Sequence, residues 1–218
     1  RMKAVIFDLD GVIADTEPIQ AQARNDLLRS FGLSAEGTNS AAIGRGKREW
    51  WGIIAKEHGL PYSGAEIAVM DFSRCLRYIR ETHLAPTAGL RELLEYLRRS
   101  GVRTAVASSS DRFYVEDVLK YMELDGYFCG SACGDEVPAS KPAPYLYQKA
   151  LELCGVSAAE SFAIEDSDTG ALAAKAAGIP CIAYDAAEGA AKQSFGTCVF
   201  KAKSMQEILS YLKKEQEK

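Results

Sequence analysis

The apolar run Ala4-Val5-Ile6-Phe7 ends in Asp8-Leu9-Asp10-Gly11, and this junction limits the possible folds of the chain more than any other stretch. A short run rich in β-branched and aromatic residues, closed by a glycine, reads as a buried strand running into a loop. Side chains two residues apart on an extended chain share a face and stand ~6.6 Å apart along it, so Asp8 and Asp10 can address one site. Two acids at the end of a buried strand are costly unless a cation or a substrate uses them. Taken alone, the segment leaves ordinary solvation at a strand exit open as the alternative. Gly11 permits the sharp turn out of the strand.

Further strand candidates lie at 102–107, near 127–129, at 161–164 and at 179–184. Helical periodicity fills the intervals at 89–100, 111–122, 144–154 and 168–177. Strands that alternate with helices of this length predict βα units and a parallel sheet covered on both faces. Residues 16–85 break the alternation, because they show only helical periodicity, at 19–31, 48–58 and 65–82. The expected architecture is therefore an α/β core built from residues 1–15 and 86–218, with an all-helical cap domain, 16–85, inserted after the first strand.

Chemistry-bearing residues recur where these strands end. Ser108 follows the second strand candidate in Ala107-Ser108-Ser109-Ser110-Asp111, just before a helix start. A hydroxyl beside the free N–H groups of a helix N-terminus suits a phosphate, with plain capping by Ser110 or Asp111 as the alternative. Lys141 sits in Ser140-Lys141-Pro142-Ala143-Pro144, where the prolines fix the backbone around a single cation. Glu165 and Asp166 close the strand at 161–164, and Ser167 or Asp168 caps the helix after it. In a parallel open sheet the C-terminal strand ends gather at one crevice. Carboxylate pairs, a hydroxyl and a lysine in one crevice form a site for a phosphoryl group with Mg²⁺.

Composition removes the competing classes. The chain carries 26 Lys+Arg against 30 Asp+Glu, a net charge of −4, which gives no general attraction to nucleic acid or an anionic membrane. No apolar run reaches the ~18 residues of a membrane span, and the N-terminal stretch is too short and too acidic for a signal peptide, so a cytoplasmic location is expected. The six cysteines form no CxxC pair, as suits thiols in a reducing compartment, and two histidines cannot build a multi-histidine metal site. Any metal must rest mainly on carboxylates, which favours Mg²⁺ over Zn²⁺.

Phe7 to Glu17 (FDLDGVIADTE), Ser108, Ser140 to Pro144 (SKPAP) and Glu165 to Gly170 (EDSDTG) resemble, in order and spacing, the four motifs of the haloacid dehalogenase superfamily, in the branch that holds beta-phosphoglucomutase and its phosphatase relatives. The resemblance runs from Lys3 to the last helix. It implies a Rossmann-like core with a helical cap, and a Mg²⁺-dependent phosphatase that acts on a small phosphorylated metabolite, such as a sugar phosphate, through an aspartyl-phosphate. It makes Asp8 the nucleophile and Asp10 the general acid and base. Ser108, Ser109 and Lys141 would then hold the transferring group. Asp8, the Asp10 backbone carbonyl and Asp166, with Glu165, would hold the metal. In beta-phosphoglucomutases a cap histidine occupies the position matched here by Gln20, a departure that weighs against the alternative, a hexose-phosphate mutase. Arg48, in Gly44-Arg45-Gly46-Lys47-Arg48, matches a residue that grips a distal phosphate or sugar group in the mutases. The expected partner is a small phosphorylated substrate, with no nucleic acid and no membrane, and a monomer is the expected state.

Overall fold

A computed structural model describes residues 1–36, 46–186 and 193–218. The chain divides into two compact units, one of Arg1–Asp15 with Ala85–Lys218 and one of Thr16–Leu84. Ala85 thus falls with the α/β unit and not with the helical insertion.

The first unit is a six-stranded parallel sheet in the order β3-β2-β1-β4-β5-β6. Its strands are β1 (Ala4–Phe7), β2 (Arg103–Ser108), β3 (Ser131–Cys133), β4 (Ser161–Glu165), β5 (Cys181–Tyr184) and β6 (Phe200–Ala202). All four residues of β1 are buried, as expected of a central strand with helices over both faces. Helices α4 (Leu90–Arg99), α5 (Arg112–Tyr121), α6 (Tyr145–Cys154), α7 (Asp168–Ala176) and α8 (Met205–Glu217) accompany the sheet. The strand order reverses direction between β1 and β4, and the crevice beyond the C-terminal strand ends at such a reversal is where open α/β sheets place their ligands.

One sequence expectation shifts, and one alternative left open is resolved. The third strand is Ser131–Cys133, not 127–129, because Asp125–Tyr127 closes a 3-10 turn and Tyr127 gives its carbonyl to the Thr104 hydroxyl. Ser167, not Asp168, caps α7, its hydroxyl accepting the Gly170 N–H at 3.1 Å. Asp168 instead accepts the N–H groups of Ser194 and Phe195 at 2.9 and 2.7 Å. β6 and α8 carried no strand or helix expectation. β6 is a three-residue edge strand paired on one side only, too short to show a period.

The second unit holds α1 (Glu17–Ser30), α2 (Lys47–His58) and α3 (Gly64–Glu81), with no strand among its described residues. α3 opens with a capping box: the Ser63 hydroxyl accepts the Glu66 N–H and the Glu66 carboxylate accepts the Ser63 N–H. α2 and α1 both pack on α3, with Trp50 and Trp51 buried and edge to face at 4.6 Å. Asp71, 1% exposed, is surrounded by donors: Trp51 Nε1 at 2.8 Å, Lys47 Nζ at 3.2 Å and the Cys75 thiol at 3.6 Å.

Candidate active site

Three of the six strands deliver polar side chains to the same end. Asp8 follows β1 directly, Ser108 is the last residue of β2, and Glu165 is the last residue of β4 with Asp166 after it. The Lys141 ammonium, supplied by the loop before α6, ties three strand ends together. It donates to Asp8 Oδ1 at 3.0 Å, to the Ala107 carbonyl of β2 at 2.9 Å and to Glu165 Oε1. Lys141 and Glu165 are both buried, so this ion pair is hardly screened by solvent.

The charge balance is lopsided. Asp8, Glu165 and Asp166 each place a carboxylate oxygen within 4.8 Å of the other two, against one lysine among the described residues. Burial and then the neighbouring Glu165 push the Asp8 carboxyl up to about 7, and Lys141 only partly offsets them. Burial, Asp8 and Glu165 push Asp166 up to about 9. Burial alone would lower the Lys141 ammonium, but Asp8 and Glu165 outweigh it and hold its pKa above the ordinary lysine value.

Two glycines make room for these acids. A Cβ on Gly11, whose φ is +86°, would lie 1.9 Å from Asp166 Oδ2, and a Cβ on Gly170 would lie 2.0 Å from Glu165 Oε2. Among the described residues Glu165 Oε2 is buried with no hydrogen-bond partner, while Oε1 takes both Lys141 and the Tyr147 hydroxyl. Three close carboxylates, one of them with an orphaned buried oxygen, are a donor set for a hard divalent cation, which prefers oxygen ligands. Among the described residues this is the one such group.

The remaining predicted residues divide between the two units. Asp10 is in the α/β unit, where its Oδ2 accepts the Ser110 hydroxyl at 2.9 Å and its Oδ1 the Tyr114 hydroxyl at 2.8 Å. Ser108 Oγ accepts the Ser110 N–H at 3.1 Å, and exposed Ser109 accepts the Ser140 hydroxyl at 3.0 Å. Gln20 and Arg48 belong to the helical unit, on α1 and α2, and Gln20 Nε2 donates to Thr16 Oγ1 at 3.3 Å. Gly44 and Arg45 lie outside the described residues.

Sequence reasoning missed Tyr147, Tyr114 and Ser110 as partners of the acids. A signal for Tyr147 was available: it shares a buried helix face with Leu146, Ala150 and Cys154, and a fully buried tyrosine hydroxyl requires an acceptor.

Residues 2–178 match the family model described as haloacid dehalogenase-like hydrolase. Protein CbbY of Rhodobacter capsulatus is 33% identical over 191 residues, covering 82% of this chain and 83% of that protein. A phosphorylated carbohydrates phosphatase of Thermotoga maritima is 32% identical over 179 residues, covering 82% of each. Among solved structures, a mutant of CbbY from Rhodobacter sphaeroides in complex with xylulose-1,5-bisphosphate superimposes with a TM-score of 0.84 at 26% identity, over 95% of this chain and 96% of that one.

Proposed function

The chain belongs to the haloacid dehalogenase-like hydrolases, and from that membership we propose that it is a phosphatase of small phosphorylated metabolites, sugar phosphates in particular, working through an aspartyl-phosphate. The observation that carries the reading is the Lys141 ammonium bound at once to the ends of β1, β2 and β4, with Asp8 and Asp166 on either side of the reversal in strand order. The carbohydrate phosphatase and the sugar bisphosphate complex among the relatives favour a sugar phosphate.

In the first transfer an Asp8 carboxylate oxygen attacks phosphorus. The bond from phosphorus to the leaving oxygen breaks, and Asp10 gives that oxygen its proton. In the second, water attacks the phosphorus of the aspartyl-phosphate, its proton passes to Asp10, and the Asp8–phosphorus bond breaks to release phosphate. Lys141 and Ser108, with Ser109, stabilise charge on the equatorial oxygens. Asp8, Asp166 and Glu165, with the Asp10 carbonyl, would hold Mg²⁺, which when bound neutralises charge between the nucleophile and the phosphoryl group. Gln20 and Arg48 of the helical unit are assigned to substrate selection.

Phosphate release from a panel of sugar phosphates, phosphoglycolate and nucleotides tests this. Asp8→Asn is expected to lower turnover by more than about 10³-fold while the melting transition survives; retained activity would refute the assignment. Supplying beta-glucose 1-phosphate with a bisphosphate primer separates the alternative, since glucose 6-phosphate would mark a mutase and free phosphate alone a phosphatase.

A further inference from the structure

Asp10 is held from both sides by its own unit. Its Oδ1 takes the hydroxyl of Tyr114 and its Oδ2 that of Ser110. Tyr114 is fully buried in the first turn of α5, and Ser110 is buried in the loop that joins β2 to that helix. A carboxylate with a partner on one oxygen can still swivel; with a donor on each, both side-chain torsions are fixed. The backbone is fixed as well, since the Gly11 N–H donates to the Ala14 carbonyl at 2.8 Å and the Ile13 N–H to the Leu9 carbonyl at 2.9 Å.

We propose that Tyr114, assisted by Ser110, is a positioning residue that aims the Asp10 carboxyl at the leaving oxygen of the substrate. The inference rests on Asp10 being the proton donor of the first transfer. The two hydroxyls hold Asp10 without taking its proton, since each of them acts as the donor. Proton delivery to a departing oxygen depends steeply on alignment, and a residue that only aims the donor matters in proportion to how much the leaving group needs the proton. An alkoxide leaving from a sugar phosphate needs it. A p-nitrophenolate scarcely does.

The test is the ratio of kcat/KM for a sugar phosphate to kcat/KM for p-nitrophenyl phosphate, because kcat/KM reports the first transfer and the ratio cancels losses common to both substrates. Tyr114→Phe is expected to lower this ratio ~10-fold and Asp10→Asn ~100-fold. The double variant is expected to match Asp10→Asn alone, since a residue acting only through Asp10 has nothing left to aim. An unchanged ratio in Tyr114→Phe, or losses that multiply in the double variant, would overturn the proposal. An unchanged ratio in Asp10→Asn would instead remove the proton-donor reading, and the role of Tyr114 with it. Ser110→Ala, which leaves the tyrosine ring and helix untouched, is expected to shift the ratio in the same direction and carries the test if Tyr114→Phe does not fold.

Discussion

Each unit of this protein buries acid, and the two do so in opposite ways. In the helical unit one carboxylate, Asp71, meets three donors from Lys47, Trp51 and Cys75. In the α/β unit three carboxylates, Asp8, Glu165 and the half-buried Asp166, share one lysine, and Glu165 Oε2 has no hydrogen-bond partner among the described residues. The first arrangement is complete in itself and has no need of a ligand. The second has more acid than cation around it, an imbalance that a divalent cation would offset. A buried acid therefore signals function by its deficit of partners, and its burial alone says little.

The lysines give the strongest way to break this contrast. Lys141→Ala removes the cation that, among the described residues, pairs with Asp8 and Glu165 and is expected to abolish phosphate release and to cost about 3–5 kcal/mol of stability without added metal. Lys47→Ala leaves Asp71 its indole donor and is expected to cost only about 1–2 kcal/mol, both read by denaturant titration. Equal losses would erase the distinction.

A pH series comes next. Because Asp8 and Asp166 are raised above the ordinary carboxylate range, each binds its proton more tightly folded than unfolded. Their contribution to stability is full below that range and is lost as pH rises through about 7 for Asp8 and about 9 for Asp166. With a chelator, the melting temperature is expected to fall by roughly 5 °C between pH 5 and pH 8, and excess Mg²⁺ is expected to flatten the slope. A slope unaffected by Mg²⁺ would count against the carboxylates as its ligands.

The smallest effects should differ in sign. Asp71→Asn exchanges a satisfied charge for an amide and is expected to destabilise by about 1–2 kcal/mol. Asp166→Asn removes a carboxylate that repels Asp8 and Glu165 once pH exceeds about 9, and is expected to stabilise the chelator-treated protein there by about 1 kcal/mol. Scanning calorimetry of the two variants decides it; a shared sign would mean that the clusters are not opposites.

Much of the α/β unit was legible because its signals are local. β1 announces itself in four buried residues followed by acid and glycine, and Ser108, Glu165 and Asp166 stand at strand ends that periodicity alone locates. The third strand was misplaced because aromatic Tyr127 and Phe128 mimic a strand where the chain makes a 3-10 turn. What stayed hidden is pairing at long range. Lys141 was expected in the same crevice as Asp8, but Tyr114 meets Asp10 across 104 positions, and such a contact follows from sheet order, which no local pattern reports. Asp71 was passed over for the same reason, since Lys47 and Trp51 reach it from another helix, 24 and 20 positions away.

The position of β1 in the sheet also bears on how the protein is made. Ala4 pairs with Arg103 on one side and Ser161 on the other, so the strand that leads to Asp8 emerges from the ribosome long before either neighbour exists. The helical unit, Thr16–Leu84, is synthesised whole in the meantime and is built from contacts close in sequence. During translation the nascent chain therefore carries an apolar, unpaired strand tethered to a segment able to fold early. β1 can gain both partners only once residues through Ile164 have left the ribosome, and until then it remains an exposed apolar segment.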